Sequence, residues 1–175
     1  MASFLGFDMA QEWADINIWE KFFQDYPIKT FVEIGTGHGG LTTYFALQCK
    51  QRGIEFHTFD NGHWFEAIDS TVPRMLGIEG KFHFVDVFTD PGKSEIESII
   101  AKSPKPLAIF FDNGNKAREW AMYAGLTNRG DYLIVHDWET EFFASDIGAV
   151  PVEYILKDMA DARPAGWKAQ WFKRV

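Results

Sequence analysis

The chain of 175 residues contains a single cysteine, Cys49, and has no long apolar run. A single cysteine excludes an internal disulfide, and its position in the apolar stripe of a predicted helix indicates a buried thiol. No apolar stretch approaches the roughly 18 residues that span a bilayer, and no basic region followed by an apolar leader is found near Met1. We therefore expect a cytoplasmic protein that does not bind a membrane.

Basic residues are also scarce relative to acidic ones. The chain has 17 Lys and Arg residues against 25 Asp and Glu residues, which gives a net charge of −8. Binding to nucleic acid or to anionic lipid needs clustered positive charge, so we expect no nucleic-acid partner and no membrane partner, but a small molecule. The sequence also lacks a linker or charge block that would separate two domains. Its length and its 46% hydrophobic content therefore predict one domain over residues 1–175.

What the chain does contain is a series of short apolar runs, each followed by a polar or acidic residue. We interpret five of them as buried strands: TFVEIG, IEFHTFD, KFHFVD, LAIFFD and DYLIVHD. Helical patterns lie between them, at about 40–52, 62–77, 90–102 and 115–126. This alternation predicts an α/β fold with a doubly wound, mostly parallel, Rossmann-like sheet.

The regions before and after this alternation are less regular. Residues 1–28 are predicted to form a helical lead, with its helix at roughly 9–25, in front of a cofactor-binding core at 29–138. Residues 139–175 are predicted to contain a helix near 150–161 and one strand, GWKAQWFKRV. We expect the lead helix and the segment at 138–150 to determine the specificity of the acceptor pocket.

Acidic residues recur at the ends of the predicted strands, 25 to 27 residues apart, at Glu33, Asp60, Asp86, Asp112 and Asp137. This spacing is the length of one strand plus one helix, so all five acids should lie at the same edge of the sheet. Open α/β sheets bind their ligands in the crevice outside the carboxyl ends of the strands. We therefore expect a ligand site whose mouth carries negative charge.

The stretch FVEIGTGHGG fits two kinds of nucleotide site. The G-x-G-x-x-G pattern of a dinucleotide fold would use Gly35, Gly37 and Gly40, whereas the E-x-G-x-G-x-G pattern of a methyl-donor site would use Glu33, Gly35, Gly37 and Gly39. Nearby acids oppose a pyrophosphate but tolerate the positive sulfonium of S-adenosylmethionine. The strand-end acids therefore favour S-adenosylmethionine. An NAD(P)-dependent oxidoreductase and a non-catalytic nucleotide-binding accessory module stay open as alternatives.

Over residues 31–138 the motifs FVEIGTGHGG, HTFD, HFVDVF, AIFFDNGN and GDYLIVHDW resemble successive motifs of class I S-adenosylmethionine-dependent methyltransferases. The lead MAQEWADINIWEKFF and the HD after the fifth strand are most similar to the branch of cephalosporin-hydroxylase-like and sugar or macrolide O-methyltransferases. The resemblance implies methyl transfer to a hydroxyl of a small molecule, with a divalent metal, usually Mg²⁺. That fold usually ends with two strands, so we expect either a sheet shortened at its C-terminal edge or an edge completed by another subunit of a homo-oligomer.

The resemblance also assigns cofactor-binding roles by position, to Gly35, Gly37, Gly39, Asp60 and Asp86, and the E-x-G-x-G-x-G pattern adds Glu33 to them. Asp60 would bond the ribose hydroxyls, and Asp86 would meet the adenine amino group. Glu33 would either tie down the glycine loop through backbone N–H groups or contact the ligand directly.

The metal positions of the family match Asp112 and Asp137, with His136 beside them. Related enzymes commonly carry two acids after the fifth strand, and the imidazole of His136 is a less typical Mg²⁺ ligand than a carboxylate. Lys116 corresponds to a lysine base of catechol-type enzymes, although a solvated lysine is the alternative. We therefore expect Asp112, His136 and Asp137 to bind the metal, and Lys116 or His136 to act in catalysis.

Overall fold

We describe a computed structural model of the chain over residues 2–62, 77, 81–164 and 168–175. Its helices are Trp13–Asp25 (α1), Gly40–Arg52 (α2), Asp90–Lys102 (α3), Lys116–Tyr123 (α4) and Lys157–Asp161 (α5), with 3₁₀ turns at Ala124–Leu126 and Ala144–Ile147. Its strands are Ala2–Phe4 (β1), Phe7–Met9 (β2), Thr30–Ile34 (β3), Glu55–Asp60 (β4), Phe82–Phe84 (β5), Leu107–Phe111 (β6), Tyr132–Val135 (β7), Val152–Ile155 (β8) and Gln170–Arg174 (β9). The helix predicted at about 62–77 falls largely outside the described residues.

Seven of these strands form one sheet in the order β5-β4-β3-β6-β7-β9-β8. The strands from β5 to β7 are parallel, and β9 runs antiparallel to both of its neighbours. Helices cover both faces, which confirms the predicted doubly wound, mostly parallel α/β sheet. The chain order reverses at β3, which lies between β4 and β6 and so marks the switch point where such sheets bind ligands.

The prediction for the C-terminal edge was wrong. The helix expected at 150–161 is instead the strand β8 followed by the short helix α5. Leu156 separates them with a left-handed backbone, φ 51°. Residues 152–155 are rich in the β-branched and aromatic types that favour strands, and they pair with β9 in an antiparallel register. Two strands therefore complete the sheet, which is not shortened, while the homo-oligomer stays a prediction.

The N-terminal lead also differs from its prediction. Helix α1 begins at Trp13 rather than near residue 9, and it is preceded by a capping box between Glu12 and Asp15. The eight residues Ala2–Met9 contain a small antiparallel hairpin, in which β1 pairs with β2. Its turn is formed by Leu5 and Gly6, both at positive φ, as two-residue hairpin turns require. The hairpin carries the chain over the start of α2.

An apolar layer lies on each face of the sheet. The layer beneath α1 and α2 is centred on Trp19, whose ring packs against Phe45, Phe110 and Trp171. Cys49 lies in this layer with no exposed surface, and burial raises the pKa of its thiol. Among the helices that the structure describes, none is both long and apolar enough to cross a bilayer.

Candidate functional site

A cavity of about 440 Å³ opens at the carboxyl ends of β3, β4, β6 and β7, at the switch point of the sheet. Its lining combines the glycine loop at 35–40 with four of the five strand-end acids, Glu33, Asp60, Asp112 and Asp137. Lys116 and His136 line it as well, and the chain before α1 supplies one wall. The cavity therefore unites most of the residues that the sequence predicted to act together.

The glycine loop is fixed against both neighbouring strands. The Gly35 N–H donates to the Phe59 carbonyl at 2.8 Å, and the Asp112 N–H donates to the Ile34 carbonyl at 2.8 Å. A β-carbon on Gly35 would lie 2.5 Å from the carbonyl oxygen of Asp112, and the residue has φ +106°. Only glycine fits there, because the loop and the end of β6 are in backbone contact. The predicted cofactor loop and the predicted metal acid are thus adjacent.

Asp60 lies at the end of β4 with only 7% of its surface exposed. Its carboxylate accepts hydrogen bonds from the N–H groups of Gly37, at 3.0 Å, and Gly62, at 2.7 Å. The bond from Gly37 holds the carboxylate against the glycine loop, where it lines the cavity, and the bond from Gly62 closes the turn after β4. The remaining lone pairs of its two oxygens can accept further hydrogen bonds, as a ribose-binding acid requires.

Glu33 lies beneath the glycine loop and is fully buried. The Thr58 hydroxyl donates to its carboxyl group at 2.7 Å, and the Thr36 and Thr58 hydroxyls are 2.6 Å apart. Glu33 is therefore held by threonine hydroxyls, a different anchor from the backbone N–H groups expected from the sequence. Burial raises its pKa to about 8, although hydrogen bonds from threonine act in the opposite direction. The carboxyl group is mostly neutral at pH 7.

Asp86 is not brought into the cavity with the other acids. It is exposed after β5, and its carboxylate accepts a hydrogen bond from the Phe88 N–H at 2.8 Å. This bond closes a local turn ahead of α3. The adenine contact that the resemblance assigned to Asp86 stays a prediction.

Asp112, His136 and Asp137 meet where β6 and β7 end side by side. Each offers one ligand atom, and these atoms lie within 4.8 Å of one another. His136 Nδ1 is 3.1 Å from an Asp112 oxygen and 3.2 Å from an Asp137 oxygen. The sheet brings these residues together, because β6 and β7 pair in parallel as far as their ends. The last bond of this pairing is donated by the His136 N–H to the Phe111 carbonyl. Asp137 adopts φ +53°, an uncommon conformation for a residue other than glycine, which is found more often at functional sites.

Positive side chains neutralise this cluster, so the cavity mouth is less negative than the sequence suggested. The Lys116 ammonium lies 2.6 Å from an Asp137 oxygen and 2.8 Å from a Glu141 oxygen. Burial favours neutral forms of Lys116 and His136, but the nearby carboxylates outweigh it and raise the pKa of both, that of His136 to about 10. The pKa of Asp137 is correspondingly lowered to about 2 against the effect of burial, by bonds to His136 and Lys116. Lys116 is therefore held in its charged form, which cannot accept a proton.

Two contributors to the cavity were not singled out from the sequence. Gln11 lies before α1 and donates from Nε2 to Asp112 at 3.3 Å, and Glu141 pairs with Lys116 from the segment after β7. Both belong to segments that we expected to shape the acceptor pocket. No local pattern marks either residue, because each reaches the cluster only through the tertiary fold.

No family model matches the chain. Curated relatives include the rhamnosyl O-methyltransferases of Mycobacterium tuberculosis and Mycobacterium bovis, which are 26% identical over 145 residues. This match covers 77% of the chain, and the chain spans 56% of the length of these relatives.

Solved structures of similar fold include that of CmcI with Mg-SAM, at TM-score 0.71 and 16% identity, with 99% of this chain and 76% of that chain covered. Another is the O-methyltransferase from Bacillus cereus in complex with SAH, at TM-score 0.51 and 13% identity, with 93% of this chain and 79% of that chain covered. The chain therefore has the fold of class I S-adenosylmethionine-dependent methyltransferases, and its sequence resembles the sugar O-methyltransferase branch of that family.

Proposed function

We propose that the chain transfers the methyl group of S-adenosylmethionine to a hydroxyl of a small molecule, with a divalent cation, Mg²⁺ or Mn²⁺, held by Asp112, His136 and Asp137. One observation carries this proposal: a single cavity joins the glycine loop and Asp60 to that carboxylate and imidazole cluster. A methyl donor and an activated acceptor oxygen must lie side by side for in-line transfer, and this arrangement provides adjacent sites for both.

The residues present fit a divalent cation. Two carboxylates and one imidazole converge within 4.8 Å, and the set contains the oxygen ligands that Mg²⁺ and Mn²⁺ prefer. His136, whose pKa the carboxylates raise to about 10, would release its proton on binding the cation, because only a neutral imidazole can be a ligand. A bound divalent cation lowers the pKa of a hydroxyl that it coordinates. Asp112 and Asp137 would hold it from two adjacent strand ends, and Lys116 would orient Asp137 and Glu141 through its ammonium group. Lys116 could act as a base only if another positive charge neutralised these carboxylates, because they raise the pKa of its ammonium group.

The cofactor side of the proposal is supported by the glycine loop and its surroundings. Asp60 would bond the ribose hydroxyls, while Gly37 and Gly39 would let the backbone approach the ligand and Gly35 lets the loop pack against the end of β6. A dinucleotide would need its pyrophosphate at the N-terminus of α2. There a β-carbon on Gly40 would lie 2.5 Å from the carbonyl oxygen of Asp8, so the hairpin backbone covers that end of the helix. This crowding disfavours the oxidoreductase alternative.

The acceptor is proposed to be a hydroxylated small molecule such as a sugar, because the curated relatives are rhamnosyl O-methyltransferases. The decisive test is transfer of a labelled methyl group from S-adenosylmethionine to a panel of glycosides and phenols. Chelator should abolish transfer, and added Mg²⁺ or Mn²⁺ should restore it. Cofactor binding without transfer to any acceptor would favour the accessory-module alternative.

Substitutions in the cluster separate its role from that of the cofactor loop. Asp112→Asn and Asp137→Asn should each lower turnover while calorimetry finds S-adenosylmethionine affinity nearly unchanged, because both acids would contact the acceptor rather than the cofactor. Asp25→Asn, at an exposed aspartate paired with Lys21, is the matched control and should behave as the wild type. Activity that is indifferent to chelator and to both cluster substitutions would mean that these acids are structural.

A further inference from the structure

Gln11 lies in the cavity wall between the hairpin and α1, and only 3% of its surface is exposed. Its Nε2 donates to Asp112 Oδ2 at 3.3 Å. Its Oε1 is buried and has no hydrogen-bond partner among the described residues. The side chain is thus a buried amide that is half satisfied and directed at one of the proposed cation ligands.

A buried carbonyl oxygen without a partner costs about 1 to 3 kcal/mol, so such a group is usually explained by an ion, a water or a ligand. Rotation of the amide by half a turn about its last side-chain bond exchanges Nε2 and Oε1. The oxygen would then face Asp112 from the position that the nitrogen occupies. Two oxygens at that separation repel each other unless a cation lies between them. Mg²⁺ and Mn²⁺ need about six ligands, mostly oxygens, so a cation there could use both.

The position of Gln11 is fixed from a distant part of the chain. Arg163 donates to Asp15 at 2.9 Å and to Glu12 at 2.5 Å, and Asp15 is fully buried. The Glu12 N–H in turn donates to Asp15 at 3.1 Å. This network holds the start of α1 two residues after Gln11, and so helps to keep the backbone of Gln11 beside Asp112. The amide is therefore presented to the cluster by a rigid support, as a metal ligand needs.

We propose that Gln11 is a fourth side-chain ligand of the cation, through Oε1, alongside Asp112, His136 and Asp137. This inference rests on the cation site of the proposed function and adds to it a ligand from outside the sheet. It gives the N-terminal lead a chemical role, because a wall of the cavity also supplies a ligand to the ion.

The test uses Mn²⁺ alone, added to the full chain without cofactor or acceptor. Gln11→Met keeps the length of the side chain but removes its oxygen, and calorimetry should find Mn²⁺ binding about 10- to 100-fold weaker, the scale seen when a supporting group of a metal site is lost. The number of water molecules on the bound Mn²⁺, counted by electron spin echo modulation in D₂O, should rise by one. Gln48→Met makes the same chemical change on α2, away from the cluster, and should alter neither quantity.

Each other outcome overturns the inference. If Gln11→Met binds Mn²⁺ as tightly as the wild type, the cation site stands without Gln11. Weaker binding with an unchanged water count would mean that Gln11 only orients Asp112. If the wild type binds no Mn²⁺, the cation site of the proposed function fails together with its fourth ligand.

Should Gln11→Met not fold, as judged by circular dichroism, Gln11→Glu retains an oxygen at the same place. It should bind Mn²⁺ more tightly than the wild type with the water count unchanged. An unchanged or weaker affinity in that variant would contradict ligation.

Discussion

Asp60 illustrates how one side chain can link the fold to a ligand. It holds the glycine loop through Gly37 while it lines the cavity. Asp60→Ala removes both the loop anchor and the proposed bonds to the ribose hydroxyls. S-adenosylmethionine binding should weaken by about 1.5 to 3 kcal/mol in calorimetry, the scale for losing hydrogen bonds to a charged group. Asp25→Ala should bind as the wild type does, and equal affinity in Asp60→Ala would exclude Asp60 from the cofactor site.

Glu33 should make stability depend on pH. Its pKa is about 8 in the folded chain against an ordinary value of 4.5, so the folded state holds a proton that the unfolded state releases. The contribution of this protonated carboxyl group to the free energy of unfolding is complete below about pH 4.5. It is lost as the pH rises towards 8, which is the sign expected for a raised pKa.

The matching experiment compares the wild type with Glu33→Gln, which keeps an oxygen to accept the Thr58 hydrogen bond but cannot ionise. In urea unfolding at pH 5, 6.5 and 8, the free energy of unfolding of the wild type should fall relative to that of the variant as the pH rises. A constant difference between the two proteins across that range would show that Glu33 does not titrate as its burial implies.

At the scale of secondary-structure elements, the hairpin β1–β2 depends on Gly40 at the start of α2. A β-carbon there would lie 2.5 Å from the Asp8 carbonyl oxygen and 2.7 Å from that of Phe7, and both are backbone atoms rather than the end of a flexible side chain. Gly40→Ala should therefore lower the free energy of unfolding by about 1 to 3 kcal/mol, as overpacking does. It should also weaken S-adenosylmethionine binding, because the hairpin forms a wall of the cavity.

Gly125→Ala is the control for this substitution. Apart from its own chain neighbours and turn, Gly125 has no heavy atom within 4 Å of the place that a β-carbon would occupy. Its variant should therefore keep the stability of the wild type within about 0.5 kcal/mol. If Gly40→Ala were equally stable, the hairpin would not be packed on α2 in solution.

The elements that the sequence predicted well are those with strong local signals. Helix α2 ends at Arg52, before Gly53, as its glycine suggested, and the parallel strands follow their apolar runs. The strand-end acids could be assigned to one edge because parallel strands share a direction, and this placed Asp112 and Asp137 together from the sequence alone.

The features that the sequence did not predict share a physical cause: each depends on residues that are far away in the sequence. Strand β8 forms because β9, some fifteen residues later, pairs with it, whereas its apolar residues also suit a helix. Gln11 could not be chosen over any other polar residue of the lead, since its proximity to Asp112 arises from packing across 101 positions of sequence. The local signal for the hairpin is its turn at Leu5 and Gly6, and two residues are too short a pattern to predict a hairpin.

For the whole molecule, ligand binding to the folded state should raise the melting temperature. The cavity lies where β3, β4, β6 and β7 end, so a ligand there contacts several elements that must come apart together on unfolding. At a concentration about 100 times its Kd, S-adenosylmethionine should raise the Tm by roughly 5 to 10 °C for a chain of this size. Scanning calorimetry with NADH in its place should find no shift, and a shift with NADH alone would favour the oxidoreductase alternative.

The buried thiol of Cys49 is a natural probe of how often the core around it opens. Since the chain has one cysteine and that residue has no exposed surface in the layer beneath α1 and α2, a thiol reagent can reach the sulfur only when this layer opens. The rate of labelling would therefore report the opening of that layer under native conditions, without any engineered probe. Ligands that close the cavity should slow the reaction in proportion to how much they suppress this opening.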